Sequence, residues 1–408
     1  MSEDLYYIWL SLACGAGSAL PQRLLAVFEN AENIYSATKE EIEARRDFEI
    51  DESLLKRLCD KDLGDSEKAL EFCAKNNVSV LNCASKLYPG RLRGIRAFPV
   101  VLYYKGRLPD IDDNLCVAMV GTRKMTDYGK GAAYGLAKEL ASCGAIIVSG
   151  MAEGIDAASH KGCLSAGGFT VAVFGCGIDR AYPPENKQLM DKITEKGLIM
   201  SEYPPTTEPK GFHFPIRNRI ISGLSQAVLV VEADNKSGAL ITAKTALFQG
   251  RELYAVPGNI DAPSSRGTNN LLKRQAGIVT EAYDILSEYE HLYSHRIRTE
   301  KASYSYKEPK KENKENKENK ENKEKETKPE ASLAEKLSAL KIILSEAELK
   351  VFEVFQQKKN EKLHADDIRA EGMQISEVMH TLTFLELYGV ITSFPGNYYK
   401  ISDSFTNL

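Results

Sequence analysis

Short, unbroken apolar runs set the rhythm of the middle of the chain. Residues 117–120, 145–148, 170–174, 197–200, 227–231 and 252–256 are rich in Val, Ile and Ala. Gly, Ser or Pro closely follows each run, and longer helical stretches intervene. A strand covered by helices on both faces has no polar side, so it reads as a continuous apolar run rather than an alternation. The pattern predicts a Rossmann-like, doubly wound, mostly parallel α/β sheet over residues 86–290. Ligands of such sheets bind at the C-terminal ends of the strands.

The flanks follow other periods. In residues 1–85, Leu5, Ile8, Trp9 and Leu12 form one helical stripe, and Leu20, Leu24, Leu25 and Phe28 form another. Cys14-Gly15-Ala16-Gly17 makes the turn between them, which gives a helical domain of SAM/helix-hairpin-helix type. Glu3, Asp4, Glu29 and Glu32 surround that hairpin with acid, so packing or domain coupling is expected of it ahead of DNA contact. Residues 308–330 are almost entirely Lys, Glu and Asn, with a repeated Lys-Glu-Asn triplet from Lys311. Such a stretch buries nothing, and residues 300–332 are read as a solvated tether. Apolar periodicity returns over 333–408. Leu349, Phe352, Val354 and Phe355 mark one helix, Ile368 closes a second, and Ile375, Val378, Met379, Leu382 and Leu385 mark a third. Residues 390–394 and 398–401 flank Pro395-Gly396-Asn397 as a hairpin, which completes the pattern of a winged helix. Residues 374–388 carry Glu377 and Glu386 but no Lys or Arg, which points to an accessory or protein-binding module rather than a duplex reader.

At 408 residues, two or three domains are expected. Lys and Arg total 53 against 57 acids, a net charge of −4, which excludes attachment to nucleic acid by bulk charge but leaves room for a local basic groove. No apolar run approaches the roughly 18 residues of a membrane span. The acidic Met-Ser-Glu-Asp start carries no basic leader, so the cytoplasm is expected. Eight cysteines without a C-x-x-C, and six histidines away from them, predict neither disulfides nor a metal.

The loops after the runs carry the chemistry. They read Gly121-Thr122-Arg123-Lys124, then Ser149-Gly150 leading through Gly154 to Asp156, then Gly175-Cys176-Gly177, then Glu232-Ala233 leading to Ser237-Gly238-Ala239. Glycine turns at one sheet edge offer free amides and helix N-termini, both suited to phosphate. No P-loop is present, the third glycine of the dinucleotide fingerprint is replaced by Arg180, and no nucleophile elbow occurs. His160 lies one helical turn after Asp156, and the pair is read as capping and packing. From Lys210 through Phe212, His213, Phe214 and Pro215 to Arg217-Asn218-Arg219, aromatics interleave with cations. That mixture suits single-stranded nucleic acid, with cations for phosphate and rings for unpaired bases. The competing reading pairs individual arginines with Glu202 and Glu232.

These strings resemble the bacterial DNA-processing protein A family (DprA, also called Smf). They are Tyr88-Pro89, Gly121-Thr122-Arg123, the run from Ser149 to Asp156, Gly175-Cys176-Gly177, the long run from Phe214 to Ser225, Glu232-Ala233, Ser237-Gly238-Ala239-Leu240 and Ala255-Val256-Pro257-Gly258. The resemblance covers about residues 88–288. It implies a core that binds single-stranded DNA, forms a homodimer and helps load the RecA recombinase in natural transformation, without catalysis and without a cofactor. By position, Arg123, Lys187 and Lys210 would line the DNA groove, and Phe214 would stack a base. Two features depart from the pattern: Gln275 stands where the family has a second glycine, and the tether is long. A rival from another class is a nucleotide phosphoribohydrolase on the same core. Its Pro-Gly-Gly-x-Gly-Thr cradle is replaced here by Pro257-Gly258-Asn259-Ile260.

Overall fold

Six of the apolar runs become strands within one residue of their expected limits: β3 (Cys116–Val120), β4 (Ile146–Ser149), β5 (Thr170–Phe174), β6 (Leu198–Ser201), β7 (Ala227–Val230) and β8 (Glu252–Ala255). In the computed structural model, the described residues are 3–44, 50–301, 346–358, 361–368, 373, 378–379, 381–382, 385–386, 390–394 and 398–402. The chain divides into two compact units, Met1–Glu308 and Pro309–Leu408.

In the first unit the six strands join β1 (Ser79–Asn82), β2 (Val101–Gly106) and β9 (Gly277–Ile278) in one nine-stranded sheet of order β1-β2-β6-β5-β4-β3-β7-β8-β9. Pairing is parallel from β6 through to β9, and antiparallel where β2 meets β6 and β1. Successive side chains leave opposite faces of a strand. On β3, Val117 and Met119 accordingly enter one core while Cys116, Ala118 and Val120 enter the other. The chain winds outward from β3 through β4, β5 and β6, then returns to the other side of β3 with β7 and β8. Loops after β3 and β7 therefore diverge, and this switch point is where an open α/β sheet has a natural crevice.

Six helices precede or border the sheet: α1 (Glu3–Cys14), α2 (Leu20–Phe28), α3 (Ala31–Ser36), α4 (Lys39–Ala44), α5 (Glu52–Cys59) and α6 (Gly64–Lys75). They are joined to the sheet. β1 lies within residues 1–85 yet pairs with β2, and Asn82 donates a side-chain hydrogen bond to Asp4 at 2.8 Å. The glycine turn seats on the core as well. Gly17 holds φ +77, a Cβ there would lie 2.6 Å from Ile216, and its N–H donates to Glu202 at 3.3 Å. The remaining helices are α7 (Gly90–Arg93), α8 (Asp127–Ser142), α9 (Ile155–Ser165), α10 (Lys187–Lys196), α11 (His213–Gly223), α12 (Ala239–Phe248), α13 (Arg266–Leu272) and α14 (Tyr283–Tyr289).

Gln275 adopts φ +69, the left-handed region that glycine enters at no steric cost. Its side chain is exposed, so no packing offsets the strain. Gln275→Gly is expected to raise the unfolding free energy by about 1 kcal/mol, the left-handed penalty less the entropy of a freer unfolded chain. A urea melt checks it; equal or lower stability contradicts it.

The second unit contains α15 (Glu346–Gln357) and a three-stranded antiparallel sheet of order β10-β12-β11: β10 (Leu363–His364), β11 (Ile391–Phe394) and β12 (Tyr398–Ile401). Phe352, Phe355, Ile368, Leu382, Leu385, Val390 and Ile401 form its core. The expected hairpin is present as β11 and β12. Most of the expected third helix, the Pro395-Gly396-Asn397 turn and the tether from residue 302 lie outside the described residues. Of the hairpin aromatics, Tyr399 is buried. Phe394 and Tyr398 share the Lys362 ammonium, at 4.3 and 5.2 Å from the ring centroids.

Candidate nucleic-acid interface

The loops after β3, β4 and β7 and the first turns of α11 and α12 enclose a cavity of about 350 Å3 at the switch point. Gly121, Thr122 and Arg123 line it from one side, Ala152 and Asp156 from a second, Phe214, Arg217 and Asn218 from α11, and Ser237, Gly238 and Thr242 from the β7 side. Eight of the residues singled out from sequence thus meet in one place. The β3 loop is fixed from beneath. The Glu232 carbonyl accepts from Thr122 N–H at 2.8 Å, and the Glu232 carboxylate accepts from the Thr126 N–H at 2.9 Å and hydroxyl at 2.8 Å. Thr126 in turn caps α8, accepting from Gly129 N–H at 3.1 Å. Glu232 therefore anchors the loop that presents Arg123.

Two arginines of the 217–219 cluster serve the fold. Arg217 is buried, and its Nη1 donates to the carbonyls of Gly150, at 2.8 Å, and Val173. Its Nε donates to Asn218 at 3.1 Å. Burial lowers its pKa to about 10, opposed by the charge of Asp156. The Asp156 carboxylate accepts from the N–H groups of Gly150 at 3.2 Å and Ala152 at 3.4 Å. Burial pushes its pKa up and Arg217 opposes that shift. Gly150 has no room for a side chain, since a Cβ would lie 2.5 Å from Arg217 Nη1. Ser149 and Gly150 thus lie below the cavity rather than on its wall. Arg219 also stays off the wall, paired with Glu202 at 2.6 Å, with side-chain exposures of 11% and 6%. This is the pairing the sequence left open, and it adjoins the Gly17 turn.

His160 and Asp156 do not act together. Thr170 donates its hydroxyl to the Ile147 carbonyl at 2.8 Å, so His160 Nδ1, 2.6 Å from the same hydroxyl, must be the donor to it. Burial lowers the His160 pKa to about 3, and the ring stays neutral near pH 7. This is the packing role expected of it.

The outer rim is cationic and aromatic. The Arg123 guanidinium lies 5.2 Å from the Phe214 ring centroid, and that of Arg217 lies 5.8 Å away. Tyr182 stacks on the same ring, with centroids 5.2 Å apart and planes 28° from parallel. Gly175 lets Phe214 sit close, because a Cβ there would be 2.9 Å from the ring. Lys210 and Phe212 are exposed at the start of α11. Lys187 is exposed on α10 and pairs with Asp191; neither lysine lines the cavity. Tyr182, Thr126 and the anchoring role of Glu232 escaped the sequence reading. No spacing rule connects position 182 to 214. Only the fold brings them together.

Glycine-bearing loops at a switch point, the first turns of two helices and a guanidinium–aromatic rim define an open α/β protein with a cationic, aromatic-edged cleft. Among the described residues, no group of three or more His, Cys, Asp or Glu is placed to hold a metal ion. The chain belongs to the DNA recombination-mediator protein A family, the DprA/Smf group, whose sequence model matches residues 79–290. It is 37% identical over 275 residues to the DNA processing protein DprA of Bacillus subtilis, covering 67% of this chain and 93% of that one. Against DprA of Streptococcus pneumoniae it is 41% identical over 232 residues, 56% of this chain and 79% of the relative. The X-ray structure of DprA from Streptococcus pneumoniae superposes with a TM-score of 0.61 at 35% identity, covering 71% of this chain and 98% of that one.

Proposed function

We propose that this protein binds single-stranded DNA along the rim of the switch-point cavity, without catalysis, and presents it to a RecA-type recombinase. The carrying observation is Arg123, held over Phe214 at the mouth of a cavity lined by the glycine-bearing loops. A guanidinium there meets phosphate, and the rings beside it offer stacking that only unpaired bases can use. Lys210 beside the rim adds charge. The recombinase step rests on membership of a recombination-mediator family. Self-association is part of the reading: Ile241, Leu247 and Phe248 are exposed on α12, Phe248 at 81%. A homodimer covering such residues follows the usual logic of exposed apolar patches. Light scattering showing only monomer at micromolar concentration would contradict it. No helix among the described residues is long and apolar enough to cross a membrane, and the cytoplasm is the proposed compartment.

The hydrolase alternative fares worse. The loop at the place of its phosphate cradle is tied to α13: Gly258 N–H donates to Asn269 at 3.2 Å, and Asn269 donates back to the Gly258 carbonyl at 3.0 Å. That amide has no hydrogen left for a phosphate. A gel shift comparing single-stranded with duplex DNA across a salt series tests the proposal. Single strands are expected to bind more tightly, and affinity to fall steeply with salt as counterions are released. Equal affinity for both forms overturns it.

A further inference from the structure

We infer that Tyr182 is the outer base-stacking platform of the site, with Phe214 as its support. The inference rests on the single-stranded-DNA reading and refines where an unpaired base is received. Phe214 is half-buried and already engaged: Tyr182 stacks on it, Arg123 and Arg217 approach its ring, and the Gly175 backbone lies against it. A base could reach it only by displacing one of these groups. Tyr182 is the opposite case. It is 37% exposed, and among the described residues no second ring or cation stacks on it.

The segment carrying Tyr182 is fastened on both sides. Before it, Asp179 accepts from Thr206 N–H at 2.7 Å, and Arg180 donates to the Thr206 carbonyl at 3.1 Å. After it, Asn186 donates to the Met151 carbonyl at 2.9 Å. A ring held this way loses little freedom when a base stacks on it. The tyrosine and Arg123 thus both lie against the Phe214 ring, so a strand can place a phosphate by the guanidinium while one of its bases stacks on the exposed tyrosine.

The test uses the full chain and oligo-dT. Tyr182→Leu keeps an apolar cover on Phe214 but removes the π-face, and is expected to weaken binding about tenfold, within the range for loss of one stacked base. Tyr182→Phe is expected to bind like the parent. Tyr182→Trp adds a reporter beside the single native Trp9, which is buried; its emission is expected to be quenched by oligo-dT. Parental affinity for Tyr182→Leu, or unquenched emission from Tyr182→Trp at saturating oligo-dT, overturns the inference. If Arg123→Ala still weakens binding in that event, the DNA site stands and only the platform fails. Absence of oligo-dT binding by the parent protein removes both.

Discussion

Glu202→Ala is expected to destabilise the first unit by about 3–5 kcal/mol, the usual consequence of leaving a buried charge without its partner. Arg219 is the charge left behind, and two of its nitrogens, Nε and Nη1, already lack hydrogen-bond partners. The same substitution frees the Gly17 N–H, so the seam between the N-terminal helices and the core weakens with it. Burial already pushes the Glu202 carboxyl up, which shows how much of its charged state depends on Arg219. The double substitution Glu202→Leu with Arg219→Met removes both charges and is expected to recover most of the loss, since apolar replacements of buried pairs are often neutral. Urea denaturation of the parent and the two variants checks this. A loss below about 1 kcal/mol for Glu202→Ala would place the pair among ordinary surface bridges.

Arg217→Ala is expected to cost about as much, and for a reason that separates it from Arg123. Its guanidinium ties Gly150 on the β4 loop to Val173 on β5 and faces Asp156, so its removal strands two carbonyls and a buried carboxylate. Stability should fall by about 3–5 kcal/mol. Adding Asp156→Asn should return part of it, because the unpaired charge is then gone. In protein kept folded at low temperature, the salt slope of DNA binding should match the parent, since no phosphate contact has been lost. A lowered slope without loss of stability would return Arg217 to the DNA-contacting set.

The contrast between these arginines shows what was legible in the sequence. Continuous apolar runs located six strands to within a residue, because burial on both faces leaves no other pattern. The loops after them marked the cavity, because an open sheet collects its loop amides at one edge. Composition cannot say which way a side chain turns. Arg123, Arg217 and Arg219 are equivalent as letters. One faces the rim, one threads under a loop and one pairs with Glu202, and the difference is set by carbonyls and acids distant in sequence. β1 and β2 were also overlooked. The first lies in a helical region, and both pair antiparallel at the edge, outside the βαβ rhythm used to find the others. Tyr182 belongs to the same class, since its partner lies 32 positions away on another element.

The central claim is that Arg123 at the cavity rim contacts the phosphate of an unpaired strand. Fluorescence anisotropy with labelled oligo-dT, taken through a salt series for the parent and for Arg123→Ala, tests it directly. The expected result is weaker binding across all sequences, with the log–log salt slope reduced by about 0.7, one contact on a single strand. Unchanged affinity and slope in Arg123→Ala, with the fold intact by circular dichroism, would contradict it.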